Sequence, residues 1–171
     1  MLTAEQIIRL LGLAPLPVEG GHFRQTYRSE EMIEASALPA RYPSDKSFCT
    51  AIYYLLTSEP DSFSAMHRLP TEEIYHFYLG DPVEMLLLHP EGKQETLLLG
   101  PDIANGQRLQ HVVRRETWQG SRLRPGGRFA LLGTTMAPGF DAEDFFLGDR
   151  EDLMRTYPQS SDLIRKLTRN P

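Results

Sequence analysis

The sequence predicts an all-β barrel or sandwich with helices at both ends, on three observations. Between Phe48 and Met136 the chain is a succession of short β-type runs. Turn residues separate them, most clearly Gly80-Asp81-Pro82, Pro90-Glu91-Gly92 and Pro125-Gly126-Gly127, which is the punctuation of a sandwich or barrel and not of alternating strand–helix units. Segments of helical periodicity bracket this span on both sides.

The first helix is delimited by its own residues. Thr3 and Gln6 have capping-box spacing, Leu2 and Ile7 the spacing of a hydrophobic staple, and Gly12 closes the end. Ile7, Ile8, Leu10 and Leu11 form its apolar stripe. The segment Pro15-Leu16-Pro17-Val18-Glu19-Gly20-Gly21 ends it in a turn whose two glycines suit positive φ. His22–Arg28 reads as a strand and residues 29–47 as an exposed loop. Strands are then expected near 48–56, 62–67, 73–79, 83–89, 94–99, 109–113, 117–123 and 128–135. Beyond Pro138-Gly139-Phe140 the acidic cluster Asp141, Glu143 and Asp144 leads into a helical region, with Phe145 and Phe146 expected beneath it. Asp149 caps one helix bearing Leu153, Met154 and Tyr157, Pro158 stops it, and Ser160 or Ser161 caps another bearing Leu163, Ile164 and Leu167. One domain over 1–171 is expected, with the β-core at about 22–136 and the helical C-terminal segment at about 149–168.

Composition narrows the function classes. The formal charge is −5, from 18 basic and 23 acidic residues, and the basic residues are scattered, so nucleic acid and anionic membranes are poor partners. The longest apolar runs, Ala51–Leu56 and Met85–Leu88, are far too short to span a bilayer, and the N-terminus lacks the layout of a signal peptide, so a cytoplasmic location is expected. The single cysteine, Cys49, has no partner for a disulfide or a zinc cluster and reads as a buried structural thiol. Phosphate-loop, dinucleotide and nucleophile-elbow patterns are absent.

Chemistry concentrates in His67-Arg68-Leu69-Pro70-Thr71-Glu72-Glu73-Ile74-Tyr75-His76-Phe77-Tyr78-Leu79-Gly80. Its spacing resembles the first motif of the cupin superfamily, in which two histidines two apart, a glutamate four later and a glycine seven beyond occupy one hairpin. His67, Glu73 and Gly80 fall in register, and Leu69 stands where the second histidine belongs. Strand alternation puts Glu73, Tyr75 and Phe77 on one face and Ile74, His76 and Tyr78 on the other. In Val112-Val113-Arg114-Arg115-Glu116-Thr117-Trp118-Gln119, the best match to the second motif, Arg114 and Glu116 replace its proline and glycine and Gln119 its histidine. Trp118 then faces away from Gln119 into a second layer or an interface.

The wider resemblance is to the Cupin_5 family, a cupin branch of unknown function. It rests on Pro17–Ser29, His67–Gly80 and Thr135–Asp141 and runs from the first helix to Tyr157-Pro158. It implies a cupin double-stranded β-helix (jelly roll) with an N-terminal helix and short C-terminal helices, assembled as a homodimer. Function stays open among three readings. In the first, His67 is an acid/base catalyst partnered by Glu73, with Tyr75 or Tyr27 returning a proton, acting on a small polar metabolite such as a sugar or sugar nucleotide in the manner of an epimerase or isomerase. In the second the chain is a non-catalytic binding or sensing module, whose polar anchors are His67, Glu73, Tyr75 and Gln119. Tyr27 and Phe77 are further candidate ligand contacts. In the third, His67, Glu73 and Gln119 hold a divalent metal, nickel, zinc or iron.

Overall fold

A strand that is apolar at every position must be covered on both faces, and this rule organises the molecule. The computed structural model describes residues 2–169. Helix α1 (Ala4–Leu11) leads into strands β1 (Ala14–Pro15), β2 (His22–Arg28), β3 (Met32–Ile33), β4 (Lys46–Ser47) and β5 (Thr50–Thr57). There follow β6 (Phe63–Arg68), β7 (Glu73–Gly80), β8 (Val83–Leu88), β9 (Gln94–Leu99), β10 (Gln110–Val113), β11 (Trp118–Leu123), β12 (Phe129–Met136) and β13 (Phe146–Leu147). Helices α2 (Arg150–Thr156) and α3 (Ser161–Lys166) close the chain.

The strands form two facing antiparallel sheets, ordered β1-β2-β5-β12-β7-β10 and β13-β6-β11-β8-β9, the double-sheet arrangement of a jelly roll. Between them lies the main core, which includes Tyr54, Leu56, Tyr75, Phe77, Met85, Leu87, Leu99 and Leu132. Leu86 and Leu88, on the opposite face of β8, lie beneath Leu153, Tyr157, Ile164 and Leu167 of the C-terminal helices. Leu55, on the opposite face of β5, lies with Phe129 and Leu131 beneath Ile7 and Leu13. The helices therefore cover what strand alternation would otherwise leave in water, which is why 51–56 and 85–88 are continuously apolar. Among the described residues no helix is long and apolar enough to cross a membrane.

The expected caps are in place. Thr3 and Gln6 complete a reciprocal capping box, Gly12 ends α1 in the left-handed conformation, and Asp149 accepts from the Asp152 amide. Gly80 has φ 108°, and a Cβ there would run into the Phe129 carbonyl oxygen, so glycine is required where β7 turns towards β8.

Five expectations need correction. Residues 29–47 are not simply an exposed loop: β3 pairs with β4, and Tyr42, Lys46 and Ser47 are buried. Leu10 faces solvent at 66% exposure, so Ile7 is the only fully buried residue of the helical stripe. Cys49 is half-buried. The acidic cluster after Gly139 closes around the Lys46 ammonium, with Glu143 at 2.8 Å, Asp144 at 2.8 Å and Asp141 at 3.5 Å. Of the two phenylalanines that follow, Phe145 packs on His67 while Phe146 is largely exposed.

Candidate functional site

The site forms where the chain passes from one sheet to the other. His67 stands near the end of β6 in the five-stranded sheet, residues 69–72 cross over, and Glu73 opens β7 in the six-stranded sheet. The motif thus straddles a corner instead of occupying a hairpin, and its side chains converge from facing sheets. The 29–47 segment braces the corner from outside. Arg41 Nε donates to the Pro70 carbonyl at 3.0 Å, and the hydroxyls of Tyr42 and Thr71 share a 2.8 Å hydrogen bond.

His67 is fixed on two sides. Its Nδ1 lies 2.8 Å from the Ala65 carbonyl oxygen, which can only accept, so Nδ1 carries the proton. Its ring stacks on Phe145 with centroids 4.9 Å apart. Nε2 is left facing Glu73 Oε2 at 4.0 Å. Glu73 accepts a 2.8 Å hydrogen bond from the Gln119 amide. Burial pushes the Glu73 carboxyl above its ordinary range, the charge of His67 opposes this, and that of Glu19 adds to it. Tyr75 is pushed well above the tyrosine range, first by burial and then by Glu73 and Glu19, so it remains a phenol.

His67, Glu73 and Tyr75 border a cavity of about 150 Å³ between the sheets. Glu19, Gln25, Thr50, Tyr54 and Thr134 add polar atoms, and Leu16, Phe23, Ile52, Leu69, Met136, Phe140 and Phe145 supply apolar walls. Many apolar walls with few polar anchors is the usual make-up of a small-molecule site.

Of the six residues singled out in the sequence, His67, Glu73 and Tyr75 meet at the cavity and three do not line it. Gln119 lies directly across the ladder from His67, but its side chain sits behind Glu73 and bonds to it. Phe77 faces inward as alternation requires, yet it is packed among Val83, Met85 and Leu132 in the main core. Tyr27 is 55% exposed. A bulge in β2 is the reason: Gln25 pairs with Ile52 but Tyr27 with Ala51, so the extra residue turns Tyr27 to the outer face. The remaining parity expectations hold. His76 lies on the outer face between Gln110 and Thr135, and Trp118 packs in the second layer under the C-terminal helices.

The donor set does not fit a resident metal. His67 and Glu73 are two good donors, Leu69 supplies none, and Gln119 turns its NH2 towards Glu73. Among the described residues no group of three His, Cys, Asp or Glu side chains is placed to hold an ion.

Several cavity residues escaped the sequence reading. Glu19 read only as part of a glycine turn; its carboxylate accepts from Ser64 Oγ at 2.8 Å, while the Tyr54 hydroxyl donates to the Gly20 carbonyl at 3.0 Å. Tyr54 was open to discovery, since alternation along β5 puts it on the same face as Ile52. Phe140 and Phe145 carried no local signal, because a segment far along the chain folds back to place them.

A pH test follows from Glu73. A carboxyl with a raised folded-state pKa holds a proton that the unfolded chain releases at about 4.5, so its contribution to stability is full below that pH and is lost as pH rises through the folded value. Glu73→Gln should flatten this fall, whose slope is at most about 1.4 kcal/mol per pH unit. The buried Oε1 of Gln119, which has no hydrogen-bond partner among the described residues, would gain a donor from the new amide if it turned to face it. Urea unfolding of both proteins at a series of pH values checks this, and an unchanged slope would contradict it.

Comparison with known proteins agrees with this architecture. The family model Cupin_5, described as Cupin superfamily (DUF985), matches residues 5–148. The uncharacterized protein YML079W of Saccharomyces cerevisiae is 32% identical over 144 residues, which is 78% of this chain and 70% of that protein. The crystal structure of protein SO0799 from Shewanella oneidensis is 34% identical and superposes with a TM-score of 0.85 over 100% of both chains. A hypothetical protein from Leishmania major is 28% identical, with a TM-score of 0.87 over 99% of this chain and 100% of that one. The match extends through the opening helix and the corner that carries His67 and Glu73, so the chain belongs to the Cupin_5 (DUF985) family of the cupin superfamily.

Proposed function

We propose that the protein takes up a small molecule inside the barrel and that His67 is the acid/base group that acts on it, in the manner of an isomerase or epimerase. The carrying observation is the fixed imidazole: with Nδ1 held on the Ala65 carbonyl, Nε2 is the atom free to exchange a proton, beside Glu73 and at the cavity wall. Glu73 holds the charge that the ring gains, and the Tyr75 phenol is a proton donor on the same wall. The cavity is of the size that accommodates benzene, about 150 Å³, and no lysine or arginine lines it. Both facts favour a compact molecule over a sugar nucleotide.

Native mass spectrometry of protein purified without added ligand should reveal a small organic mass. Incubation of that complex in D2O should place deuterium on carbon in the bound molecule, and His67→Ala should abolish the exchange while leaving affinity within about tenfold. A bound molecule that acquires no deuterium in the natural protein would make the chain a binder without chemistry.

A homodimer is proposed through the outer face of the six-stranded sheet. Tyr27, Ala51, Thr135, Ile74 and Val112 align across five strands there, with Tyr27 and Val112 largely exposed. Sedimentation should give a dimer for the natural chain and a monomer for Val112→Glu; a monomeric natural chain would refute the pairing.

A further inference from the structure

We infer that the cavity selects a small organic cation, an amine with a compact apolar body, and turns anions away. The inference rests on the reading of this cavity as a ligand site and names the class of its occupant. Its ionisable lining groups other than the tyrosine phenols are Glu19, His67 and Glu73, and no arginine or lysine is among the lining residues. Two carboxyls, Glu19 and Glu73, thus stand against a single imidazole, so acidic side chains outnumber basic ones in the lining.

Arg169 is not among the lining residues: its guanidinium donates to the Val18 carbonyl at 2.8 Å and the Glu19 backbone carbonyl at 3.3 Å, and of the three wall groups raised by Glu19 its charge opposes that effect at Tyr54. Arg28 bonds to the Phe140 carbonyl oxygen and to Asp141, and Lys46 is enclosed by its own carboxylates. Three buried groups on the wall feel the same field. The Glu19 charge contributes to raising Glu73, Tyr75 and Tyr54 alike, after burial itself.

The walls suit the same occupant. Phe23, Tyr54, Tyr75, Phe140 and Phe145 are five aromatic residues of the lining, and aromatic rings attract ammonium groups most strongly where water is excluded. An anion would meet two carboxyls and ring electrons, with no arginine or lysine in the lining to compensate. A neutral alcohol would find hydrogen-bond acceptors but gain nothing from the field.

The test uses three probes of one shape and three charges: benzylammonium, benzyl alcohol and benzoate, titrated calorimetrically into the full-length protein at neutral pH. Benzylammonium is expected to bind at least tenfold more tightly than benzyl alcohol, and benzoate at least tenfold more weakly than the alcohol. Glu19→Gln should reduce the amine-to-alcohol ratio below threefold, and Leu69→Trp, which fills the cavity, should abolish binding of all three. Equal binding of amine and alcohol, or tighter binding of benzoate, overturns the charge selectivity and leaves the cavity standing as a ligand site. Failure of every probe to bind below about 10 mM, or binding that survives Leu69→Trp, overturns the selectivity and the cavity reading together.

Discussion

Replacing Lys46 with methionine should destabilise the protein by about 3–5 kcal/mol, the usual consequence of removing one member of a buried ion pair. The side chains of Lys46 and Asp144 are 0% and 2% exposed, and their charged atoms lie 2.8 Å apart. Methionine matches the length of the lysine stem but leaves Asp144 as an uncompensated buried charge. Glu143 and Asp141, at 46% and 26% exposure, are rim partners, so Glu143→Gln should change stability by less than about 1 kcal/mol. Adding Asp144→Asn to Lys46→Met should recover part of the loss by removing the stranded charge. Urea unfolding of the four proteins checks the series, and a loss below about 1 kcal/mol for Lys46→Met would show that the pair is not held as described.

This cluster also positions the site. Lys46 gathers Asp141, Glu143 and Asp144, and Arg28 adds hydrogen bonds to the Phe140 carbonyl oxygen at 3.0 Å and to Asp141 at 2.9 Å. The stretch they fasten carries Phe140 and Phe145, both of which wall the cavity. A lysine in a segment that reads as a surface loop therefore fixes the ring that stacks on His67.

What was legible in the sequence follows a physical line. The eight strands from β5 to β12 were readable because alternation and turn residues are local signals, and their observed bounds agree with expectation to within two residues. His67, Glu73 and Tyr75 were readable because spacing and parity are local as well. Lys46 was not, since a buried lysine looks like an exposed one until its carboxylates arrive from residues 141–144. Tyr27 lies on the outer face because one bulge residue in β2 inverts parity, and such a bulge leaves no mark in the composition. The crossing of residues 69–72 between sheets is likewise a long-range event, so a corner was read as a hairpin.

Converting Leu69→His and Gln119→His together should give the protein a first-row metal site built on His67 and Glu73. Gln119 lies directly across the ladder from His67, and its amide already touches Glu73, so an imidazole in its place starts within reach of both. Leu69 begins the crossover just after β6, and its side chain borders the same cavity as His67. The double variant would present three imidazoles and a carboxylate, in place of the present pair. Three protein donors and an open position make a catalytic-type site, and four close it. Affinity for nickel or zinc should rise by about a hundredfold or more, because even the loss of an outer-shell partner changes metal affinity 10–100-fold. Elemental analysis after dialysis against each metal, with the two single variants alongside, measures the gain. Stoichiometric metal in the double variant and little in the natural chain is the expected result. Tight stoichiometric metal in the natural chain would mean that His67 and Glu73 recruit donors beyond those argued above, and the acid/base role of His67 would then have to yield to ligation.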